Sequence, residues 1–170
     1  MDPLVQLASA AIETFVKGEG HAPPDQLLAA IPAKKAGVFV SIHTKGGDLR
    51  GCIGTILPTC GSMAEEIMQN ARWACSRDHR FSPVGAGELG SLKIKVDVLS
   101  EPEPVDSIED LDPAVYGVIV SASRERRGLL LPALDGVDTV EEQIGICRRK
   151  GGIGPNEPVT LQRFTVERHG

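Results

Sequence analysis

An α+β fold, with antiparallel or mixed sheets and helices packed on them, is what this sequence predicts. Three observations lead there: paired segments of period-two apolar patterning, helices opened by N-terminal caps, and no regular strand–helix alternation of the kind that builds a doubly wound sheet. The first segment is helical. Asp2 can cap it, Pro3 fits its first turn, and Leu4, Leu7, Ala8, Ala11, Ile12 and Phe15 recur at helical spacing until Gly18 and Gly20. A short second helix is expected over residues 24–31.

The period then changes to two. GVFVSIHT (residues 37–44) and LRGCIGT (residues 49–55) flank Lys45-Gly46-Gly47-Asp48, a tight-hairpin signal. Ser62 and Glu65 form a capping-box pattern for a helix running to about Cys75. In SLKIKVDVL (residues 91–99) Leu92, Ile94, Val96 and Val98 alternate inward, as in a half-buried antiparallel strand. Residues 101–113 hold six acids, Glu101, Glu103, Asp106, Glu109, Asp110 and Asp112, and read as a solvated surface connection with one short helical turn. Residues 116–122 and 128–132 form a second hairpin. Thr139 and Glu142 cap a helix that ends near Lys150, and a last strand covers residues 159–166.

Composition narrows the function classes. The chain has 170 residues, which is one domain or two small lobes sharing a core. Lys plus Arg number 18 against 23 for Asp plus Glu, a net charge of -5 that disfavours a general nucleic-acid binder. No apolar run reaches the roughly 20 residues of a membrane span. The acid at position 2 does not suit a signal peptide, so a soluble, cytoplasmic protein is expected. Neither a metal-ligand cluster nor a phosphate-cradling motif is visible, so no cofactor and no metal are expected.

Four cysteines, Cys52, Cys60, Cys75 and Cys147, lack both disulfide-scaffold density and CxxC spacing. The helical positions of Cys75 and Cys147 make them core residues, and Cys60 falls in a partly exposed turn. Cys52 differs because of its hairpin. With Gly46 and Gly47 as a two-residue loop, Lys45 faces Asp48, His43 pairs with Arg50, and Ser41 pairs with Cys52. A three-residue loop would change that facing. One face then carries Val38, Val40, Ile42, Leu49 and Ile53, and the other carries Ser41, His43, Arg50 and Cys52 beside Phe39. Opposed Cβ atoms lie about 5 Å apart, which brings His43 and Arg50 within reach of the Cys52 sulfur. A thiolate is the reactive form of cysteine, cations favour it, and histidine can move its proton near neutrality. Gly51 and Gly54 mark a bulge or a close approach. Further on, DHRFSP (residues 78–83) offers Asp78 and Arg80 as an ion pair or ligand-binding pair, with His79 facing solvent. Arg148, Arg149 and Lys150 sit at a helix C-terminus, where the backbone dipole already favours cations.

LRGCIG, preceded by GVFVSIHTKGGD and followed by TILP, DHRFSP, GLLLP and RKGG in order, resembles the signature set of the AMMECR domain family, the AmmeMemoRadiSam system protein A group. The likeness spans nearly the whole chain as a single domain of residues 1–170. It implies a larger and a smaller lobe around a cleft, and a place beside a Memo-like protein and a radical S-adenosylmethionine enzyme. It carries no established reaction. Two function classes follow. In the first the protein is an enzyme or the catalytic part of that pathway: Cys52 is nucleophile or redox thiol, His43 its base, and Arg50, Ser41, Asp78 and Arg80 bind a small-molecule or protein substrate. In the second it is a non-catalytic binding or scaffold partner of those proteins. A nucleic-acid regulator is the weakest reading, since no aromatic-basic platform is present.

Overall fold

Capping side chains start three of the four helices. Asp2 accepts from the backbone N–H groups of Leu4 and Val5 and opens α1 (Pro3–Lys17), which ends at Gly18 in the left-handed region. After the short α2 (Asp25–Ala29), Ser62 accepts from Glu65 N–H to open α3 (Met63–Ser76), and Thr139 with Glu142 forms a full capping box on α4 (Val140–Lys150). The strands are β1 (Gly37–Thr44), β2 (Leu49–Gly54), β3 (Leu92–Leu99), β4 (Glu103–Val105), β5 (Gly117–Ser121), β6 (Arg127–Leu130), β7 (Thr160–Phe164) and β8 (Val166–His169). This computed structural model describes residues 1–170 and divides into two units, Met1–Leu99 with Glu167–Gly170, and Ser100–Val166. No helix is long and apolar enough to cross a membrane.

The first unit holds a four-stranded sheet in the order β2-β1-β3-β8. Alternate residues Val38, Val40 and Ile42 on β1 and Val96 and Val98 on β3 are buried with Leu7 and Ile12 of α1 and Ile67 and Ala71 of α3. Each of the Val, Leu and Ile side chains contributes about 1.5–3 kcal/mol of burial free energy, so this face fixes which residues point the other way. The opposite face of β1 carries Phe39, Ser41 and His43.

The hairpin differs from the expected two-residue loop. Thr44 N–H donates to the Asp48 carbonyl at 2.9 Å, which leaves three residues, Lys45, Gly46 and Gly47, in the loop. Gly47 takes a φ of 98°, where a side chain would be strained. His43 therefore pairs with Leu49 rather than Arg50. A bulge at Arg50 then restores the frame, so that Ile42 meets Gly51 and Ser41 meets Cys52 as the sequence had it. The two irregularities cancel at Cys52 but not at Leu49, which leaves the core face and is 37% exposed.

The second unit holds a sheet in the order β4-β7-β5-β6 under α4. Val118, Val120 and Leu130 share a core with Cys147, and burial pushes that thiol up to about 11. The acidic connection contributes β4, paired with β7, and a 3-10 turn at Ile108–Asp110. The expected strand over 128–132 starts at Arg127 and ends at Leu130. The expected last strand over 159–166 is broken at Thr165, whose N–H donates to Ser100 Oγ and whose carbonyl accepts from Ser100 N–H instead of continuing a ladder. The helix expected over 24–31 shortens to Asp25–Ala29.

A fully buried carboxylate ties down the chain that leaves β2. Glu66 on α3 accepts from the hydroxyls of Thr55 and Thr59 at 2.6 and 2.9 Å, and from the N–H groups of Thr59 and Cys60 at 2.8 and 2.7 Å. Burial alone would raise its pKa; the bonds from Thr55 and the two backbone amides outweigh it and hold the carboxyl low. Glu66→Ala should remove about 3 kcal/mol of stability, because it takes the shared acceptor from two part-buried N–H donors and two hydroxyls at once. Glu66→Gln should lose roughly half that, since an amide oxygen can keep the N–H pair while the hydroxyls re-orient. Urea midpoints, with amide exchange over residues 55–60, check both.

Candidate functional site

The open face of the first sheet brings Ser41, His43 and Cys52 together. Ser41 stands directly across from Cys52, with Cβ atoms about 5 Å apart by strand geometry. His43 Nε2 lies 3.1 Å from Ser41 Oγ, and its Nδ1 lies 3.3 Å from the Gly47 carbonyl. A carbonyl only accepts, so Nδ1 carries the proton and Nε2 is the acceptor for the Ser41 hydroxyl. The loop that displaced Leu49 thus also sets the histidine tautomer. Across β1, Lys95 faces Ser41 and Asp97 faces Phe39. Burial raises the pKa of Asp97 despite the nearby charges of Arg168 and Lys95.

The glycines flanking Cys52 are sites of close approach. A Cβ on Gly51 would lie 2.2 Å from the Ala74 carbonyl oxygen of α3, and one on Gly54 would enter the Phe39 ring. The strand is pressed against the helix on one side and covered by an aromatic ring on the other, which fixes the height of Cys52 above the sheet. Cys52 itself is half-buried.

Asp78 and Arg80 form a clamp on this strand. Asp78, only 5% exposed, accepts the Cys52 N–H through Oδ2 at 2.9 Å. The same carboxylate accepts Arg80 N–H and Nε through Oδ1, and Arg80 Nη2 through Oδ2 at 2.8 Å. The Arg80 guanidinium holds the Asp78 carboxyl well below the usual carboxylate range, and the Cys52 amide adds to this. Arg80 has half its side chain in solvent, and its own pKa is raised by Asp78 first and by the charge of Cys52 last. Asp78 is therefore a buried positioning group, whereas Arg80 presents an open edge. His79 is exposed, as expected.

Of the two roles open to Arg50, binding a substrate anion or bonding to a carboxylate or carbonyl within the fold, the structure shows the second. Bulged out of the ladder, its side chain is 15% exposed and is taken up by Glu88, through Nε at 2.9 Å and Nη2 at 3.0 Å. Nη1 donates to the Ser82 carbonyl at 2.8 Å and Nη2 reaches the Pro83 carbonyl at 3.4 Å. Its donors are committed to the loop that carries Asp78, so it anchors that loop and is not a free anion binder. Glu88 and Lys95 were not singled out from the sequence. Lys95 was readable as an outward residue of its strand, but nothing local marks Glu88 as the partner of a residue far upstream.

The other thiols are quiet by environment. Burial pushes Cys75 up to about 11, and burial with the neighbouring carboxylates raises Cys60. Arg148 donates to the Gly154 and Glu157 carbonyls, and Lys150 to that of Leu129, so two of the three cations at the end of α4 serve the fold. No cluster of His, Cys, Asp or Glu could hold a metal ion.

Comparison with known proteins shows the family and the fold. The chain is 47% identical over 169 residues to a protein of Thermotoga maritima, covering 98% of this chain and 97% of that one. It is equally similar, at 47% over 170 residues, to a longer protein of Clostridium acetobutylicum, of which the match spans 36%. Among solved structures, an uncharacterised protein from Pyrococcus horikoshii superposes with a TM-score of 0.85 at 30% identity, over 98% of this chain and 89% of that one. The family model AMMECR1 matches residues 5–169, and the chain belongs to the AMMECR1 family.

Proposed function

We propose that this AMMECR1-family protein works in one pathway with a Memo-like protein and a radical S-adenosylmethionine enzyme, and that Cys52 is its nucleophile. The observation that carries this reading is the row Cys52, Ser41, His43, in which Ser41 pairs with Cys52 and its Oγ lies 3.1 Å from His43 Nε2. As Cys52 Sγ gives its proton to Ser41 Oγ, Ser41 passes its own to His43 Nε2. The thiolate then attacks an electrophilic carbon of the substrate, forming an S–C bond while the leaving group departs with its electron pair. Protonated His43 can return the proton to that group. Asp78 holds the Cys52 backbone still, and the exposed edge of Arg80 offers a carboxylate of the substrate a partner. The Clostridium relative carries the matching region as part of a longer chain, so in that protein it is joined to further sequence.

Alkylation with iodoacetamide, read by peptide mass spectrometry, tests the chemistry. Cys52 should be modified first among the four thiols, and Ser41→Ala or His43→Asn should slow it by at least about tenfold. Modification at equal rates, or a rate untouched by both variants, sinks the nucleophile. A second reading, a docking face without covalent chemistry, is favoured by the way Arg50 and Asp78 are satisfied within the fold. Copurification with the two partners and intact pathway output in Cys52→Ala would select it.

A further inference from the structure

The second unit carries a cationic cavity that neither the sequence motifs nor the Cys52 reading uses. Register builds it: Ser121 at the end of β5 pairs with Arg127 at the start of β6 and with Thr160 at the start of β7. Opposed residues share a face, so these three side chains stand level on one face, with Ser121 in the middle and about 5 Å from each of the other two. The β5–β6 turn adds Ser123 and Arg124, and Pro158 helps to close a cavity of about 400 Å³.

The electrostatics of this cavity run against those of the chain. The protein is acidic, with a net charge of -5, yet the cavity is lined by two arginines and by no carboxylate. The turn contains a third arginine, Arg126, and the contrast between them is informative. Arg126 is matched by Glu157 in a two-pronged pair, at 3.0 Å and through Nη2 at 2.6 Å, and also donates to the Gly152 carbonyl. Arg124 and Arg127 have no ion pair and no side-chain hydrogen bond. Both are exposed and keep their donor forks available. Ser123 Oγ accepts from Arg126 N–H at 3.1 Å, which leaves its own hydroxyl proton to donate, while Thr160 Oγ1 makes only a long 3.5 Å contact to the Ser121 carbonyl.

We infer that this cavity is an oxyanion site for a phosphoryl group, held between the Arg124 and Arg127 guanidiniums with hydroxyl donors from Ser121, Ser123 and Thr160. Two planar forks and three hydroxyls exceed what the two oxygens of a single carboxylate can accept. They suit a tetrahedral dianion with its larger set of lone pairs. Concentrating unpaired cations in a concave site on an acidic protein also focuses the field on a small anion rather than on a long polyanion.

Titrating inorganic phosphate into the full chain at fixed ionic strength, with NMR observation of the arginine Nε–Hε resonances, tests this. Saturable shifts at Arg124 and Arg127 are expected, larger than any at Arg126. Arg124→Ala and Arg127→Ala should each weaken binding about tenfold or more. Lys35→Ala, at an exposed lysine in the first unit, should leave it unchanged. Arg124 lies in the turn outside the strand ladder, so its variant decides the matter even if Arg127→Ala fails to fold. Shifts that never saturate, or that persist unaltered in Arg124→Ala, overturn the site. Equal saturation by acetate overturns its phosphoryl preference.

Discussion

Gly51→Ala is expected to destabilise the protein by on the order of 3 kcal/mol, among the largest effects of any single methyl added to this chain. The added Cβ would fall 2.2 Å from the Ala74 carbonyl oxygen and 3.3 Å from its carbon, and both are backbone atoms of α3. Neither can rotate away, so the helix must retreat or β2 must lift. Gly46→Ala is the matched control: its nearest neighbours are side-chain oxygens at 3.6 and 3.7 Å, and its effect should be within about 0.5 kcal/mol. Urea denaturation of both variants gives the comparison. The two variants should also separate in Cys52 alkylation, because a lifted β2 moves the thiol away from Ser41.

Asp78→Ala is expected to cost about 3 kcal/mol, since it removes a buried carboxylate that accepts the half-buried Cys52 N–H and pairs with Arg80. Arg80 is half exposed and recovers hydration, so the Cys52 and Arg80 amides dominate the loss. Asp78→Asn separates charge from shape and has a pH signature. The folded-state pKa of Asp78 is depressed, chiefly by Arg80. Its contribution is therefore complete above the pKa of an unfolded aspartate, about 3.9, and is lost as pH falls from there through the lower folded value. The stability gap between wild type and Asp78→Asn should be widest near neutrality and should shrink below about pH 4. Denaturant midpoints at pH 7 and pH 3 check the sign; a gap that widens in acid would remove the charge from the explanation.

Much of this fold is local and therefore legible. Asp2, Ser62 and Thr139 announce their helices because a cap depends on residues three or four apart. The inward row Val38, Val40, Ile42 follows from period two alone. The Ser41–Cys52 pairing was also reached from the sequence, though by a loop of the wrong length whose error the Arg50 bulge cancels. That bulge was hidden because it arises from a three-residue loop with Gly47 at positive φ, and tetrapeptides such as Lys45-Gly46-Gly47-Asp48 serve both loop lengths. That Arg50 could bond to a carboxylate was legible, but which one was not, because Glu88 is 38 residues away. Nothing local to α3 marks Glu66 as buried, because its hydrogen-bond partners come from the loop that follows β2. Asp78 and Arg80 were legible as a pair but not as the brace of a strand, which needs the third dimension.

β2 is the outer strand of its sheet, and outer strands are where proteins risk pairing with copies of themselves. Here that margin is not left bare. The Cys52 amide is engaged by a carboxylate instead of facing outward as a vacant donor, and the Arg50 bulge breaks the flat repeat another chain would need. The loop carrying Asp78 therefore also acts as a guard against self-association, and the segment most tempting to read as chemistry is one the molecule must keep from becoming a template for aggregation.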